Sequence, residues 1–256
     1  MNKEMSLVEH LTELRKRLII VAVAFVVSLF LGFVTVKPVF HFISSYILPE
    51  HVGWNVFSYT DGFLIYFKCA LLVAVLITLP VFLYEVWAFI RPGLTQEEAR
   101  VTFFYIPWSF ILFLIGVAFS FFILFPMIAQ FMGAINKSIG VTETYGISQY
   151  FTFQFNIVFP VSLVFELPVV VLFLTRLNIL NPQKLKKMRK VSYFLLVIIG
   201  VSITPPNFVA DLLIIVPLIL LFEFSIFLSN LTYKKLRRRK EENAGREERY
   251  SAGSSG

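Results

Sequence analysis

The sequence predicts an all-α, polytopic membrane protein with six transmembrane helices, the last two short. The 256-residue chain is 57% hydrophobic and only 15% charged, whereas soluble domains average about 45 to 50% apolar and about 25% charged residues. Several apolar stretches also reach the roughly 20 residues that a helix needs to cross about 30 Å of hydrocarbon. These two observations exclude a soluble globule and a disordered chain.

Four long spans come first along the chain, and each is an apolar run with few charges. The first span follows Arg15, Lys16 and Arg17 but lacks a small-residue cleavage site, so we interpret it as a retained span and not as a signal peptide. The expected bounds of the four spans are about residues 18–36, 62–90, 101–125 and 147–175.

Two weaker candidates, at about residues 191–204 and 207–229, complete the set. The turn sequence Thr204-Pro205-Pro206-Asn207 separates their apolar cores, which reach only about 20 Å at roughly 1.5 Å per residue. They are either short spans or a re-entrant hairpin, and in both cases the chain returns to the same side of the membrane. We expect residues 1–232 to form one integral membrane domain and the charged segment 233–256 to be a disordered tail.

The positive charges predict the orientation. Among the 23 lysines and arginines, only Lys37, Lys68 and Lys137 lie outside the N-terminal segment, the connection between spans two and three, the segment 176–190 and the tail. The positive-inside rule therefore predicts a multi-pass protein with both termini in the cytoplasm. This topology and attraction to the anionic lipid bilayer account for the net charge of +7, so we expect no nucleic-acid partner.

Motifs for catalysis or metal binding are missing from the sequence. It contains neither His-Glu-x-x-His nor Gly-x-Ser-x-Gly, its three histidines are scattered, and Cys69 is its single cysteine. We therefore expect no enzyme activity, no metal and no cofactor.

The segment before the first span reads as an amphipathic helix at the cytoplasmic surface. Ser6 and Glu9 have the spacing of a capping box. Glu13 lies one turn after Glu9, and like charges at that spacing repel each other unless a cation is near. Either Lys16 or Arg17 supplies that cation in an ordinary intrahelical ion pair, or Glu13 accepts a guanidinium from a partner.

Two further helix starts are predicted on the cytoplasmic side. Thr95 and Glu98 have the spacing of a capping box before the third span, so Glu98 is either a cap or a binding residue. Asn181 and Pro182 have the residue types of an N-cap and a first helical position, which predicts the start of a short basic helix.

The fourth span contains an unusual charge, Glu166. A carboxylate within a span costs at least about 2.5 to 3.5 kcal/mol and indicates a functional site. Pro160 and Pro168 flank it and free backbone carbonyl groups, which favours a polar pocket. The alternative is a protonated glutamate that is hydrogen-bonded to a neighbouring helix. Asp211 and Glu223 lie near the ends of the last apolar core, where each can reach water.

The segment Ser6–Leu18, SLVEHLTELRKRL, resembles the N-terminal signature of the TatC family, the core subunit of the twin-arginine protein translocase. Residues 80–94 (PVFLYEVWAFIRPGL), Phe165-Glu166-Leu167-Pro168 and Thr204-Pro205-Pro206 resemble further family motifs. The resemblance covers about residues 6–232 and is greatest to TatC proteins of Gram-positive bacteria.

This resemblance implies a glove-shaped protein with a concave polar pocket in the bacterial cell membrane. Such proteins bind the paired arginines of signal peptides on folded cargo and recruit TatA-type subunits (TatA or TatB) for export driven by the proton-motive force. A homo-oligomer is expected in the active complex.

The resemblance also implies which residues have these roles. It assigns signal-peptide binding to Glu13, Arg15, Phe89 and Glu98, an intramembrane polar role to Glu166, and partner contact to the surroundings of Asp211. Asn207 departs from the family, because many members have Asp after the proline pair.

A secondary transporter that uses Glu166, Lys68 and Asp211 as a relay is the competing hypothesis. Such transporters commonly show broken helices at corresponding positions of two halves, and the sequence contains no such pairing. An intramembrane hydrolase is a third possibility, but its nucleophile motif is missing.

Overall fold

The computed structural model describes residues 7–47, 53–141, 144–177, 179–203 and 208–253 and is largely helical. The expected cap residue Ser6 and the turn Thr204–Asn207, with its departure at Asn207, lie outside the described residues. The α-helices are α1 (Leu7–Ile47), α2 (Asp61–Ile90), α3 (Gln96–Phe103), α4 (Tyr105–Phe119), α5 (Phe125–Ser138), α6 (Ile147–Val164), α7 (Leu167–Arg176), α8 (Pro182–Lys187), α9 (Arg189–Ile203) and α10 (Phe208–Gly253).

Five helical stretches in the described part of the chain are long and apolar enough to cross a membrane. The predicted all-α, polytopic fold is therefore confirmed. Helix α9 has 15 residues and reaches only about 22 Å, so a sixth crossing stays a prediction. The five stretches are Leu11–Ser45, Asp61–Gly93, Gln96–Ser138, Ile147–Arg176 and Phe208–Arg238.

The first and last helices are longer than the spans predicted from hydropathy. Helix α1 continues on both sides of residues 18–36, because an amphipathic helix can extend beyond the apolar run. In α10, Glu223 interrupts the apolar run in the sequence, but Arg189 pairs with it at 2.7 Å, and the helix continues. Helix α10 also includes the segment after residue 233, since Lys, Arg, Glu and Ala are strong helix formers.

Close packing of α1 on α2 fixes one half of the bundle. A Cβ atom added to Gly32 of α1 would lie 2.4 Å from the backbone oxygen of Ala70 in α2, so the two backbones touch at this point. Val36 of α1 and Cys69 of α2 are fully buried in the core beside it. Glycine is therefore required at position 32 by its small size.

A second core joins α4 and α6 to the C-terminal helices. Gly116 of α4 lies against Ser162 and Phe165, at the end of α6. Ile157 of α6 and Ile214 of α10 are fully buried within this core. These contacts hold the break between α6 and α7, where Glu166 lies, inside the bundle.

A small parallel sheet joins the connection between α1 and α2 to the connection between α5 and α6. Strand β1 (Gly53–Asn55) pairs with strand β2 (Thr144–Gly146), with Trp54 opposite Tyr145. Asp61, the first residue of α2, fixes the turn before this helix, because its carboxylate accepts the backbone N–H groups of Phe57 and Ser58 at 2.9 and 3.0 Å. The sheet and this turn hold the described parts of the two connections.

Candidate functional site

A cleft of about 590 Å³ lies between the N-terminal part of α1 and the C-terminal part of α2. Residues three or four apart on a helix share a face, and α1 directs one polar face into the cleft while α2 supplies the opposite wall. The lining is Glu9, Thr12, Glu13, Lys16, Arg17, Ile20, Tyr84 and Glu85.

The guanidinium of Arg17 bridges two carboxylates across this cleft. Its Nε and Nη2 atoms donate to Oε1 of Glu13 at 3.2 and 2.6 Å. Its Nη1 atom donates to Oε2 of Glu85 in the neighbouring helix at 2.9 Å. The predicted intrahelical ion pair of Glu13 is therefore present, with Arg17 as the cation.

The ion pairs are partly withdrawn from water. The side chains of Arg17, Glu13 and Glu85 are 22%, 24% and 11% exposed. Because a partly buried charge pair is screened less than a surface pair, the bridge fixes α1 against α2 more firmly than a surface ion pair would. The lining has three carboxylates against one lysine and one arginine, so its formal charge is negative.

Glu98 lies on the next element and forms the predicted capping box. The side chain of Thr95 accepts the N–H of Glu98 at 3.3 Å, and the carboxylate of Glu98 accepts the N–H of Thr95 at 3.1 Å. This cap is attached to α2, because Trp87 Nε1 donates to Thr102 Oγ1 at 3.1 Å and Thr102 donates to the backbone oxygen of Glu98 at 2.7 Å.

The predicted cap of the short basic helix α8 is also present. The side chain of Asn181 accepts the N–H of Gln183 at 3.0 Å.

The other sequence-predicted residues are not among those that line the cleft. Arg15 is exposed on α1, and Phe89 is half-buried in the last turn of α2. Glu98 is also outside the lining residues. Asp211 lies half-buried in the first turn of α10. The structure thus brings Glu13 together with Glu85, but not with Glu98.

Glu166 is buried at the junction of α6 and α7 and is only 8% exposed. It accepts a hydrogen bond from the hydroxyl of Ser109 in α4, which is itself buried. Its Oε1 atom is buried and has no hydrogen-bond partner in the described part of the chain. The predicted contact with a neighbouring helix is therefore present.

Two groups of the predicted transport relay, Lys68 and Glu166, pair with hydroxyls of other helices. Lys68 donates to Thr152 of α6, while Glu166 accepts from Ser109 of α4. These contacts give no relay between Lys68 and Glu166. Among the described residues, no cluster of three or more His, Cys, Asp or Glu could hold a metal ion.

The contact between Arg17 and Glu85 was not predicted from the sequence. Arg17 precedes the first span and Glu85 lies near the end of the second. The predicted topology brings these two span ends to the same side of the membrane, so opposite charges at adjacent helix ends were the available signal.

These features define a polytopic helical membrane protein with a polar cleft between two of its helices and a buried carboxylate between others. Residues 9–217 match the family model of the Sec-independent protein translocase protein (TatC). The chain therefore belongs to the TatC family, whose members are components of a protein transport system.

Individual relatives agree with this assignment over nearly the whole chain. The chain is 42% identical to the translocase protein TatC of Halalkalibacterium halodurans, over 92% of this chain and 93% of the relative. It is also 42% identical to TatCy of Bacillus subtilis, over 91% of each chain. A crystal structure of the twin-arginine translocase receptor TatC superposes with a TM-score of 0.78 at 32% identity, over 88% of this chain and 99% of that chain.

Proposed function

We propose that this protein is the signal-peptide receptor and core subunit of a twin-arginine translocase. It binds the paired arginines of signal peptides on folded proteins and recruits TatA-type subunits for export driven by the proton-motive force. The observation that carries the proposal is the cleft in which Glu13 and Glu85 already bind one guanidinium, that of Arg17. The matched crystal structure, which is described as a twin-arginine translocase receptor, supports the same function.

The residue types of the site favour arginine over lysine. A guanidinium offers five N–H groups in a planar fork that fits carboxylates, whereas an ammonium group is a compact point charge. Glu13 on α1 contacts α2 through Arg17, and Glu98 on α3 is attached to α2 through Thr102 and Trp87, so each offers a carboxylate for one of two guanidinium groups. Phe89 in the last turn of α2 and the exposed Arg15 of α1 complete the proposed binding site.

The orientation and the remaining partners follow from the charge pattern and the buried carboxylate. The site lies at the end of the bundle that contains the start of α1 and the Arg91–Gly93 turn, and we place this end in the cytoplasm of a bacterial cell. Glu166 and the surroundings of Asp211 serve the later contact with TatA-type subunits, in a complex that contains several copies of this chain. The hydrogen bond between Glu166 and Ser109 supports a role at a helix contact.

Equilibrium binding of a fluorescent signal peptide to the purified protein tests the proposal. We expect an Arg-Arg peptide to bind more tightly than a Lys-Lys peptide, and we expect Glu13→Ala and Glu98→Ala to weaken Arg-Arg binding. Glu97→Ala is the matched control, because Glu97 lies beside Glu98 in the first turn of α3. Equal affinity for the two peptides would contradict the receptor function.

Reconstitution in liposomes separates this function from the transporter hypothesis. A receptor that lacks its TatA-type partners binds the peptide and moves no solute or ion. Proton or ion flux through liposomes that contain this protein alone, abolished by Glu166→Gln, would favour the transporter.

A further inference from the structure

Glu85 has no role in the binding site that the family resemblance implies, yet it lines the cleft. Its side chain is 11% exposed, and its Oε2 atom accepts Nη1 of Arg17 at 2.9 Å. Tyr84 beside it and Ile20 of α1 also line the cleft. A tyrosine ring near paired carboxylates provides a face for a planar cation.

The bonds from Arg17 engage only one oxygen of each carboxylate. Oε1 of Glu13 receives both Nε and Nη2, and Oε2 of Glu85 receives Nη1. A carboxylate can accept a paired fork of two parallel N–H bonds on its two oxygens. The second oxygens, Oε2 of Glu13 and Oε1 of Glu85, lie outside these bonds, so the pair has capacity for a second guanidinium.

The two halves of the bridge differ in strength. Arg17 makes two bonds to Glu13 within one helix, at a spacing of four residues, and one bond to Glu85 in the neighbouring helix. An intrahelical pair at this spacing is held by the helix itself. An incoming cation therefore displaces Arg17 from Glu85 before it displaces Arg17 from Glu13.

We propose that Glu85 is a specificity-determining residue for the signal peptide and that Arg17 is an internal guanidinium that occupies Glu85 until a peptide arginine replaces it. This inference rests on the proposed signal-peptide binding. Arg17 then stays paired with Glu13, and the peptide guanidinium lies between Glu85 and the ring of Tyr84. The cleft of about 590 Å³ has room for this additional side chain.

Peptide titrations with the full-length protein in lipid nanodiscs test this exchange, with fluorescent Arg-Arg and Lys-Lys signal peptides as probes. We expect Glu85→Gln to weaken Arg-Arg binding about tenfold, the effect of losing one charge-assisted hydrogen bond, with a smaller effect on Lys-Lys binding. We expect Arg17→Gln to strengthen Arg-Arg binding, because the internal competitor is removed.

A double-mutant cycle separates direct recognition from a positioning role of Glu85. If Glu85 contacts the peptide, Glu85→Gln still weakens binding in the Arg17→Gln background. If Glu85 only anchors Arg17, the effect disappears in that background, and the inference is overturned. Glu223→Gln is the matched control, because it removes another interhelical arginine–carboxylate pair, with Arg189 at 2.7 Å, outside the cleft.

Failure of the proposed function and failure of this inference alone give different results. A wild-type protein that does not prefer Arg-Arg to Lys-Lys overturns the proposed function and this inference with it. A wild-type preference that Glu85→Gln leaves unchanged overturns only the role of Glu85. If Glu85→Gln destabilises the fold, the Arg17→Gln variant alone tests the inference. Weaker binding of the Arg-Arg peptide to that variant would contradict the role of Arg17 as an internal competitor.

Discussion

The contact between Gly32 and Ala70 provides a quantitative test of the packing that supports the cleft. In Gly32→Ala, the new Cβ atom would lie 2.4 Å from the backbone oxygen of Ala70, whereas a carbon–oxygen contact normally measures about 3.3 to 3.6 Å. Helices α1 and α2 must therefore separate by roughly 1 Å. Overpacking of this kind costs about 1 to 3 kcal/mol, and a backbone oxygen cannot rotate away as a flexible side chain can.

Gly62→Ala is the matched control, since nothing lies within 4 Å of a Cβ atom at that helical position. Gly32 lies in the interior of α1 and Gly62 in the first turn of α2, so Gly32→Ala gains the larger helix propensity. A lower stability of Gly32→Ala must therefore come from the steric clash. At about 2 to 4 °C per kcal/mol, we expect Gly32→Ala to unfold about 2 to 12 °C below Gly62→Ala. Cys69 is the single cysteine and is fully buried, so a thiol-reactive dye reports unfolding. Equal melting temperatures would refute the close contact.

Three further predictions concern other contacts. Thr102→Val leaves the indole N–H of Trp87 unpaired and should cost about 1 to 3 kcal/mol, whereas Thr102→Ser should remain close to wild type in the same dye assay. Thr175 and Ser229 share a buried hydroxyl contact at 2.7 Å, so replacing both by alanine should cost less than the sum of the single changes. Glu166→Ala should leave signal-peptide binding largely intact and impair export; equal loss of both would contradict separate roles.

The helices and their apolar character were predictable because hydropathy over about 20 residues is a local property of the chain. The capping box of Thr95 and Glu98 was predictable for the same reason, since its partners are three residues apart. Helix ends were not, because hydropathy marks the apolar run and not the helix. The predicted last span ends at residue 229, whereas α10 continues to Gly253 through residues that are strong helix formers.

For the candidate site, the sequence predicted individual residues on separate segments but not the contacts between those segments. The spacing of Glu13 and Arg17 indicated their ion pair. The contact between Arg17 and Glu85 joins positions 68 residues apart, and it depends on how α1 and α2 pack around Gly32. Ser109 as the partner of Glu166 likewise required the position of α4 against the junction of α6 and α7.

The most direct test of the central claim is a photocrosslink from the cleft to the paired arginines. A photoreactive phenylalanine analogue at Tyr84, which lines the cleft, should crosslink to an Arg-Arg signal peptide, and excess unlabelled Arg-Arg peptide should prevent this more effectively than Lys-Lys peptide. The same analogue at Phe30, which is 70% exposed on the apolar part of α1, should give no crosslink to the arginine positions. A crosslink at Phe30 but none at Tyr84 would contradict the cleft as the binding site.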